Sequence, residues 1–138
     1  MSATKDWLAP YTWEFVTAQN ALLCEAKDTL HEATSDGHAS TKQLWQENHP
    51  EPMSLAEAVE LCRRCHELAP FCFYNGNTFA AIIRDAVGIL NLSPEHGYLA
   101  RSLAGHIVAG VASPEETQQF QDFCQSLDPS IFRDIPPS

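Results

Sequence analysis

The chain has few basic residues. Eight lysines and arginines stand against eighteen aspartates and glutamates in 138 residues, which gives a formal net charge of −10. Arg63 and Arg64 are the only adjacent basic pair. Nucleic acid backbones and anionic lipids repel such a surface, so we expect no direct binding to nucleic acid or to a membrane surface. Cations and basic proteins are the better electrostatic partners.

Long apolar runs are lacking too. The first ten residues contain no run long enough for a secretory signal, and Asp6 lies among them. No stretch of about eighteen uncharged apolar residues predicts a membrane-spanning helix. The sequence therefore predicts a cytoplasmic protein. In that reducing compartment we expect free thiols at all five cysteines, Cys24, Cys62, Cys65, Cys72 and Cys124.

Alternating β-branched runs are also lacking, whereas signals for helix starts are frequent. A Ser followed three residues later by Glu forms a capping box, in which each side chain bonds the other residue's amide. This pattern starts helices at Ser54 and Ser113, and Ser93 before Pro94 predicts a third start. Ser40 predicts a weaker start, and Asn77 or Thr78 would cap a helix that begins at Phe79.

Apolar residues recur at helical spacing behind these starts. We predict helices over about 12–33, 41–48, 54–68, 79–90, 94–110 and 114–127. In the first of these, the residues predicted to face the core are Phe15, Val16, Leu22, Leu23, Ala26 and Leu30. The chain has the size of one domain, so the prediction for 1–138 is a single all-α domain. About six helices would form a compact bundle around one core, with an extended tail over 128–138.

The segment Cys62-Arg-Arg-Cys65-His66 has the spacing that attaches c-type haem, although such attachment belongs to exported proteins. On a helix these three side chains share one face, and Cys72 would complete a tetrahedral site for zinc or iron. The alternative is a buried stripe, because a free cysteine packs as a small apolar residue. Thiol catalysis is disfavoured, since the pair lies near the end of its helix, where the helix dipole opposes a thiolate.

A second candidate site lies in Asn75-Gly-Asn77-Thr78, a polar turn before a helix. Free amides at a helix start bind anions, and Arg84 follows within two turns. The hypothesis is an anion site formed by Asn75, Asn77, Thr78 and Arg84. The alternative is a capped helix that is entered through a glycine turn and packed by the neighbouring phenylalanines.

No motif for phosphate binding, nucleophilic catalysis or paired carboxylates is present, so an enzymatic function is not predicted. We therefore expect an acidic helical protein that binds another protein, as an adaptor, an immunity-type inhibitor or an assembly subunit, or that forms a homo-oligomer. The alternative is a metal or cofactor protein built on Cys62, Cys65, His66 and Cys72, with His106 as a candidate to lie above it. Large apolar residues in peripheral segments would either close the core or contact a partner: Trp7, Tyr11, Trp13, Trp45, Ile131 and Phe132.

Overall fold

The computed structural model describes residues 4–88 and 93–126, and within them the fold is an all-α bundle, as predicted. The six helices of this part are α1 (Trp13–Ala26), α2 (Gly37–Asn48), α3 (Leu55–Leu68), α4 (Asn75–Gly88), α5 (Pro94–Ala109) and α6 (Pro114–Ser126). Two short strands, β1 (Thr4–Lys5) and β2 (Met53–Ser54), pair antiparallel and join the N-terminal segment to the start of α3.

The predicted capping boxes are confirmed. The Ser54 amide donates to Glu57 Oε1 at 2.9 Å, and the Glu57 amide donates to Ser54 Oγ at 3.1 Å. The same exchange at the start of α6 joins Ser113 to Glu116 at 3.2 and 3.1 Å. Ser93 caps α5 by accepting from the amide of His96. Each pair satisfies two amides that a helix start leaves free.

The first helix is shorter than predicted, because α1 stops at Ala26 and not near residue 33. Asp28 adopts a left-handed conformation with φ 54°. The amide of Thr29 then donates to the Cys24 carbonyl at 2.8 Å, and that of Asp28 donates to the Glu25 carbonyl at 3.2 Å. These two bonds form a Schellman motif, which ends a helix by turning the chain away from its axis.

Two other boundaries were predicted wrongly. Helix α2 begins at Gly37 and not near Thr41. Helix α4 begins at Asn75, before the predicted caps Asn77 and Thr78. The Asn75 side chain ties this start to the preceding turn, since it accepts from the Phe71 amide at 2.9 Å and donates to the Phe71 carbonyl at 2.7 Å.

One cluster of buried side chains joins the six described helices. Helices α3, α4 and α5 pack against one another at its centre, α1 and α2 lie against α4 and α3, and α6 lies against α5. Three parts of the predictions lie outside the described residues: the ends of the helices predicted over 79–90 and 114–127, and the extended tail predicted over 128–138.

Candidate functional site

The two cysteines of the Cys-x-x-Cys-His segment are core residues of α3. Cys62 and Cys65 are both 0% exposed, and they pack with the apolar side chains of the central helices. Removal from water raises the pKa of the Cys65 thiol to about 12. It also raises the pKa of the Cys62 thiol well above its ordinary value, and the nearby Cys65 raises that pKa further. Both side chains are therefore neutral thiols at pH 7, whereas a cysteine nucleophile is a thiolate.

The other two predicted ligands do not join this pair in a group that could hold a metal ion. His66 Nδ1 donates to the carbonyl of Val108 in α5 at 2.8 Å, which ties the end of α3 to the end of α5. Cys72 is exposed in the loop before α4, where its amide bonds to the Glu32 carbonyl at 3.0 Å. Over residues 4–88 and 93–126, no three or more His, Cys, Asp or Glu side chains are placed to hold a metal ion. The structure does not assemble the predicted zinc or iron site.

Most of the polar groups predicted to form an anion site at the start of α4 are bonded to, or buried by, the protein itself. Asn75 is bonded twice to the backbone of Phe71. Thr78 is fully buried, where its hydroxyl donates to the Tyr74 carbonyl at 2.7 Å and accepts from Asn20 Nδ2 at 3.0 Å. The imidazole of His66 covers Gly76, since a Cβ built there would lie 3.0 Å from His66 Cε1. Asn77 alone among the predicted polar residues of this turn is exposed.

Arg84 belongs to a different part of the surface. It lies nine residues after Asn75, which is about 13 Å along a helix. Its guanidinium lies against Gly105 of α5, where a built Cβ would come within 2.3 Å of Arg84 Nε. The structure therefore separates Arg84 from Asn75, Asn77 and Thr78, and the four do not form one site.

The aromatic residues near the N-terminus close the core. Trp7, Tyr11, Trp13 and Trp45 are each at most 7% exposed. Trp45 Nε1 donates to the Tyr11 carbonyl at 2.8 Å, which fixes the N-terminal segment on α2. These side chains are therefore not available to a partner. Ile131 and Phe132, the other two residues considered with them, lie outside the part of the chain that the structure describes.

Other apolar residues are exposed instead, and the outer face of α1 carries four of them, most of which sequence analysis placed in the core. Phe15 is 42% exposed and Leu22 is 63% exposed, and Ala18 and Ala26 are exposed beside them. The spacings of three, four and four residues align them in one stripe along the helix. We call Phe15, Ala18, Leu22 and Ala26 the α1 stripe. Leu30, which was also predicted to face the core, is exposed after the end of α1, and Leu68 and Leu99 are exposed on other helices.

The opposite face of α1 supplies the core contacts. Trp13, Val16, Asn20 and Cys24 are buried, and they lie about half a turn around the helix from the α1 stripe. A helix that is apolar on two sides is usually covered on both. Here the bundle covers one side, within residues 4–88 and 93–126, and leaves the α1 stripe open. The low contrast between the two faces of this sequence is why periodicity alone could not choose between them.

Acidic side chains border the α1 stripe. Glu14 and Glu25 are eleven residues apart, three turns of helix, so they lie in line along one edge of it. Both are exposed, and the exposed Asp28 follows the end of the helix. Lys27 is the one basic residue between Trp13 and Asp28. The surface thus combines an apolar strip with a negative margin.

An open groove of about 310 Å³ lies elsewhere, between the end of α2 and α3. Three carboxylates line it, but two already have partners: Glu57 bonds to Ser54 in the capping box, and Glu60 is paired with Arg63. Arg64 lines the same groove. Its acidic groups are therefore largely satisfied within the protein.

None of the described helices combines the length and the apolar character that are needed to cross a membrane. Comparison with known proteins gives no relative: no family model matches the chain, and no curated protein and no solved structure matches it.

Proposed function

We propose that this chain is a protein-binding module whose α1 stripe receives the apolar face of a helix from a basic partner protein. The observation that carries the proposal is the open stripe of Phe15, Ala18, Leu22 and Ala26 on a helix whose other side is buried. Contiguous exposed apolar residues with a polar border are typical of interaction surfaces. An amphipathic helix in an apolar groove or strip is a recurring mode of recognition.

The charge of the chain supports a basic partner. Glu14 and Glu25 along the stripe would attract lysines or arginines that flank the partner's apolar residues, and the net charge of −10 would speed the encounter. A second copy of the chain is the poorer occupant, because it would bring its own acidic border and another net charge of −10 to the contact. The function thus proposed is that of an inhibitor, adaptor or assembly subunit for a basic protein.

We place this function in the cytoplasm. All five cysteines are unpaired, and a reducing compartment suits a protein with free thiols.

The test compares two leucine substitutions of one kind. Leu22→Ala removes apolar area from the α1 stripe, whereas Leu99→Ala removes it from an exposed leucine of α5 that is 44% exposed. Both keep a good helix former, so both variants should fold. Proteins captured from a lysate by the unmutated chain and by each variant are compared by quantitative mass spectrometry, and a protein lost with Leu22→Ala alone is purified and titrated by calorimetry.

We expect to find a basic protein whose affinity for Leu22→Ala is about tenfold lower than for the unmutated chain. The reason is that burial of a leucine in an interface contributes about 1.5–3 kcal/mol to the free energy of binding. Leu99→Ala should leave the dissociation constant unchanged, and added salt should weaken binding because the borders are charged. The proposal is wrong if no captured protein depends on Leu22. It is also wrong if light scattering gives twice 15.3 kDa and Leu22→Ala restores the monomer, since the occupant is then a second copy.

A further inference from the structure

Arg84 and Arg101 line an open groove of about 290 Å³ on α4 and α5. The other lining residues are Tyr98, Ser102 and His106. The chain has only eight lysines and arginines against eighteen acids, so two arginines in one groove form a local exception to its negative charge. Two hydroxyl groups and an imidazole add further hydrogen-bonding capacity to the same wall.

Neither arginine of the groove is paired with an acid of the described part of the chain. Arg63 of α3 differs from them, since its guanidinium contacts both Glu60 and Glu67. Among residues 4–88 and 93–126, the ion pairs do not include Arg84 or Arg101. Both guanidinium groups therefore keep hydrogen-bond donors for an acceptor outside the protein, although the chain has more acidic than basic residues.

Two glycines of α5 make room for these guanidinium groups. A Cβ built on Gly105 would lie 2.3 Å from Arg84 Nε and 2.7 Å from Arg84 Nη2, which is closer than any side chain allows. A Cβ on Gly97 would lie 3.3 Å from Arg101 Nη1. Gly97, Arg101 and Gly105 are four residues apart and so share one face of α5. The arginine of α4 and the arginine of α5 thus lie along the same bare strip of helix.

The imidazole in the groove is held by a neighbouring helix. His106 Nδ1 donates to Glu116 Oε2 at 2.7 Å, and Glu116 is itself fixed by the Ser113 cap. The hydrogen bonds from His106 and from the Ser113 amide lower the pKa of Glu116, so the carboxylate stays ionised and orients the ring. Nε2 of His106 is the nitrogen left for a ligand.

We propose that this groove binds a small phosphate ester, with the phosphate held between Arg84 and Arg101 and a planar group of the ligand packed on Tyr98. Guanidinium groups match phosphate oxygens in a planar, bidentate geometry. The ring of Tyr98 is 70% exposed at the rim, where it offers an apolar face. The volume suits a small molecule, and the net charge of −10 opposes a polyanion such as RNA.

The probes are inorganic phosphate and adenosine monophosphate, which separate the phosphate from the planar group. Binding is measured by calorimetry at low ionic strength and at ligand concentrations up to about 10 mM. Thermal melting in the same buffers, with chloride matched for ionic strength, checks that binding stabilises the folded state.

Four variants test the residues. Arg84→Gln and Arg101→Gln should each weaken adenosine monophosphate about tenfold, because each removes charge-assisted hydrogen bonds. Gly105→Ala keeps every charge but displaces the Arg84 guanidinium, so it should weaken binding as well. Arg64→Gln, which removes an exposed arginine of α3, should change nothing. Circular dichroism verifies that each variant is folded.

The expected result is that adenosine monophosphate binds more tightly than inorganic phosphate and that Tyr98→Ala abolishes the difference. The proposal is overturned if neither probe binds the unmutated protein. Equal affinity for the two probes also overturns it, since the ring then contributes nothing. Equal loss in Arg64→Gln and Arg84→Gln overturns it too, because binding then follows overall charge and not this groove.

Discussion

The hydroxyl of Tyr11 donates a hydrogen bond of 2.6 Å to Oδ2 of Asp85, 74 residues later in the chain. Tyr11 lies just before α1 and Asp85 lies near the end of α4, so the bond joins the N-terminal segment to the central helices. Burial raises the pKa of Tyr11 far above its ordinary value of 10.0, and the hydrogen bond to the Asp85 carboxylate raises it further. The phenol is therefore held in its neutral form.

Tyr11→Phe should reduce the free energy of unfolding by about 1.5–3 kcal/mol, the usual contribution of a hydrogen bond to a charged group. Chemical denaturation of Tyr11→Phe, Asp85→Asn and the double variant measures the pair term in a cycle. Additive losses in the double variant would show that the two side chains do not stabilise each other.

Tyr11 also predicts how stability depends on alkaline pH. Its folded pKa is raised, so near pH 10 only the unfolded chain loses this proton, and the stability falls as the pH rises above 10. In an absorbance titration of tyrosinate, one of the three tyrosines should ionise only when the protein unfolds. Tyr11→Phe should remove that delayed step, and three tyrosines that titrate together in the native protein would contradict the assignment.

Asn20 is a polar residue in the core, and it connects α1 to the loop and the start of α4. Its Nδ2 donates to the Phe73 carbonyl at 2.8 Å and to Thr78 Oγ1 at 3.0 Å, while its Oδ1 accepts from His31 Nδ1 at 2.8 Å. Asn20→Leu should cost about 2–4 kcal/mol, because it removes three hydrogen bonds made by a fully buried side chain.

The matched control for Asn20 is Gln46→Leu, at an exposed position of α2. Its effect should stay within about 0.5 kcal/mol, as for most surface substitutions. Urea denaturation gives both values. Similar losses in the two variants would mean that the hydrogen bonds of Asn20 add little.

Gly37 allows the start of α2 to approach the end of α3. A Cβ built there would lie 2.1 Å from the Leu68 carbonyl oxygen and 2.4 Å from that of Ala69, and both are backbone atoms that cannot rotate away. Gly37→Ala should therefore destabilise the fold by about 1–3 kcal/mol, the usual cost of overpacking.

Gly88→Ala is the control for Gly37→Ala, since the opposite change in stability is expected there. Apart from its own helix and its chain neighbours, no atom of the described residues lies within 4 Å of a Cβ built on Gly88, the last residue of α4. Gly88→Ala should therefore be neutral or stabilising, by up to about 1 kcal/mol. Thermal melting compares the two variants, and a gain in stability from Gly37→Ala would refute the close approach of α2 and α3.

The five thiols should react in two groups. Cys72 is exposed, whereas the other four cysteines are at most 5% exposed. Burial raises the pKa of Cys124 and of Cys65 to about 12, so few thiolates are present in the core at pH 8. A chromogenic disulfide reagent should label one thiol rapidly in the native protein and all five in guanidinium.

Metal analysis of the same preparation completes this test. A zinc or iron centre on Cys62, Cys65, His66 and Cys72 would protect Cys72 from the reagent and would yield about one equivalent of metal. Rapid labelling of Cys72 with no metal released is the expected outcome. Rapid labelling of Cys62 and Cys65 together with Cys72 would show instead that α3 unfolds readily.

The sequence determined where most helices begin. The capping boxes at Ser54 and Ser113 and the cap at Ser93 involve residues only three apart, so these starts depend on local chemistry. The end of α1 is also local, but the left-handed residue there is Asp28 and not a glycine, which leaves a weak signal. Composition and helical spacing sufficed for the all-α fold.

Only the tertiary structure decided which side of each apolar helix is buried. In α1 the buried side carries Val16 and Asn20, and the open side carries Phe15 and Leu22, so a polar residue lies in the core while a leucine faces out. Local spacing cannot predict this, because the choice depends on the hydrogen bonds that Asn20 makes with residues more than fifty positions away. The tertiary structure likewise decided the position of Arg84. Its guanidinium lies in a groove on α4 and α5 because Gly105 has no side chain to fill that space.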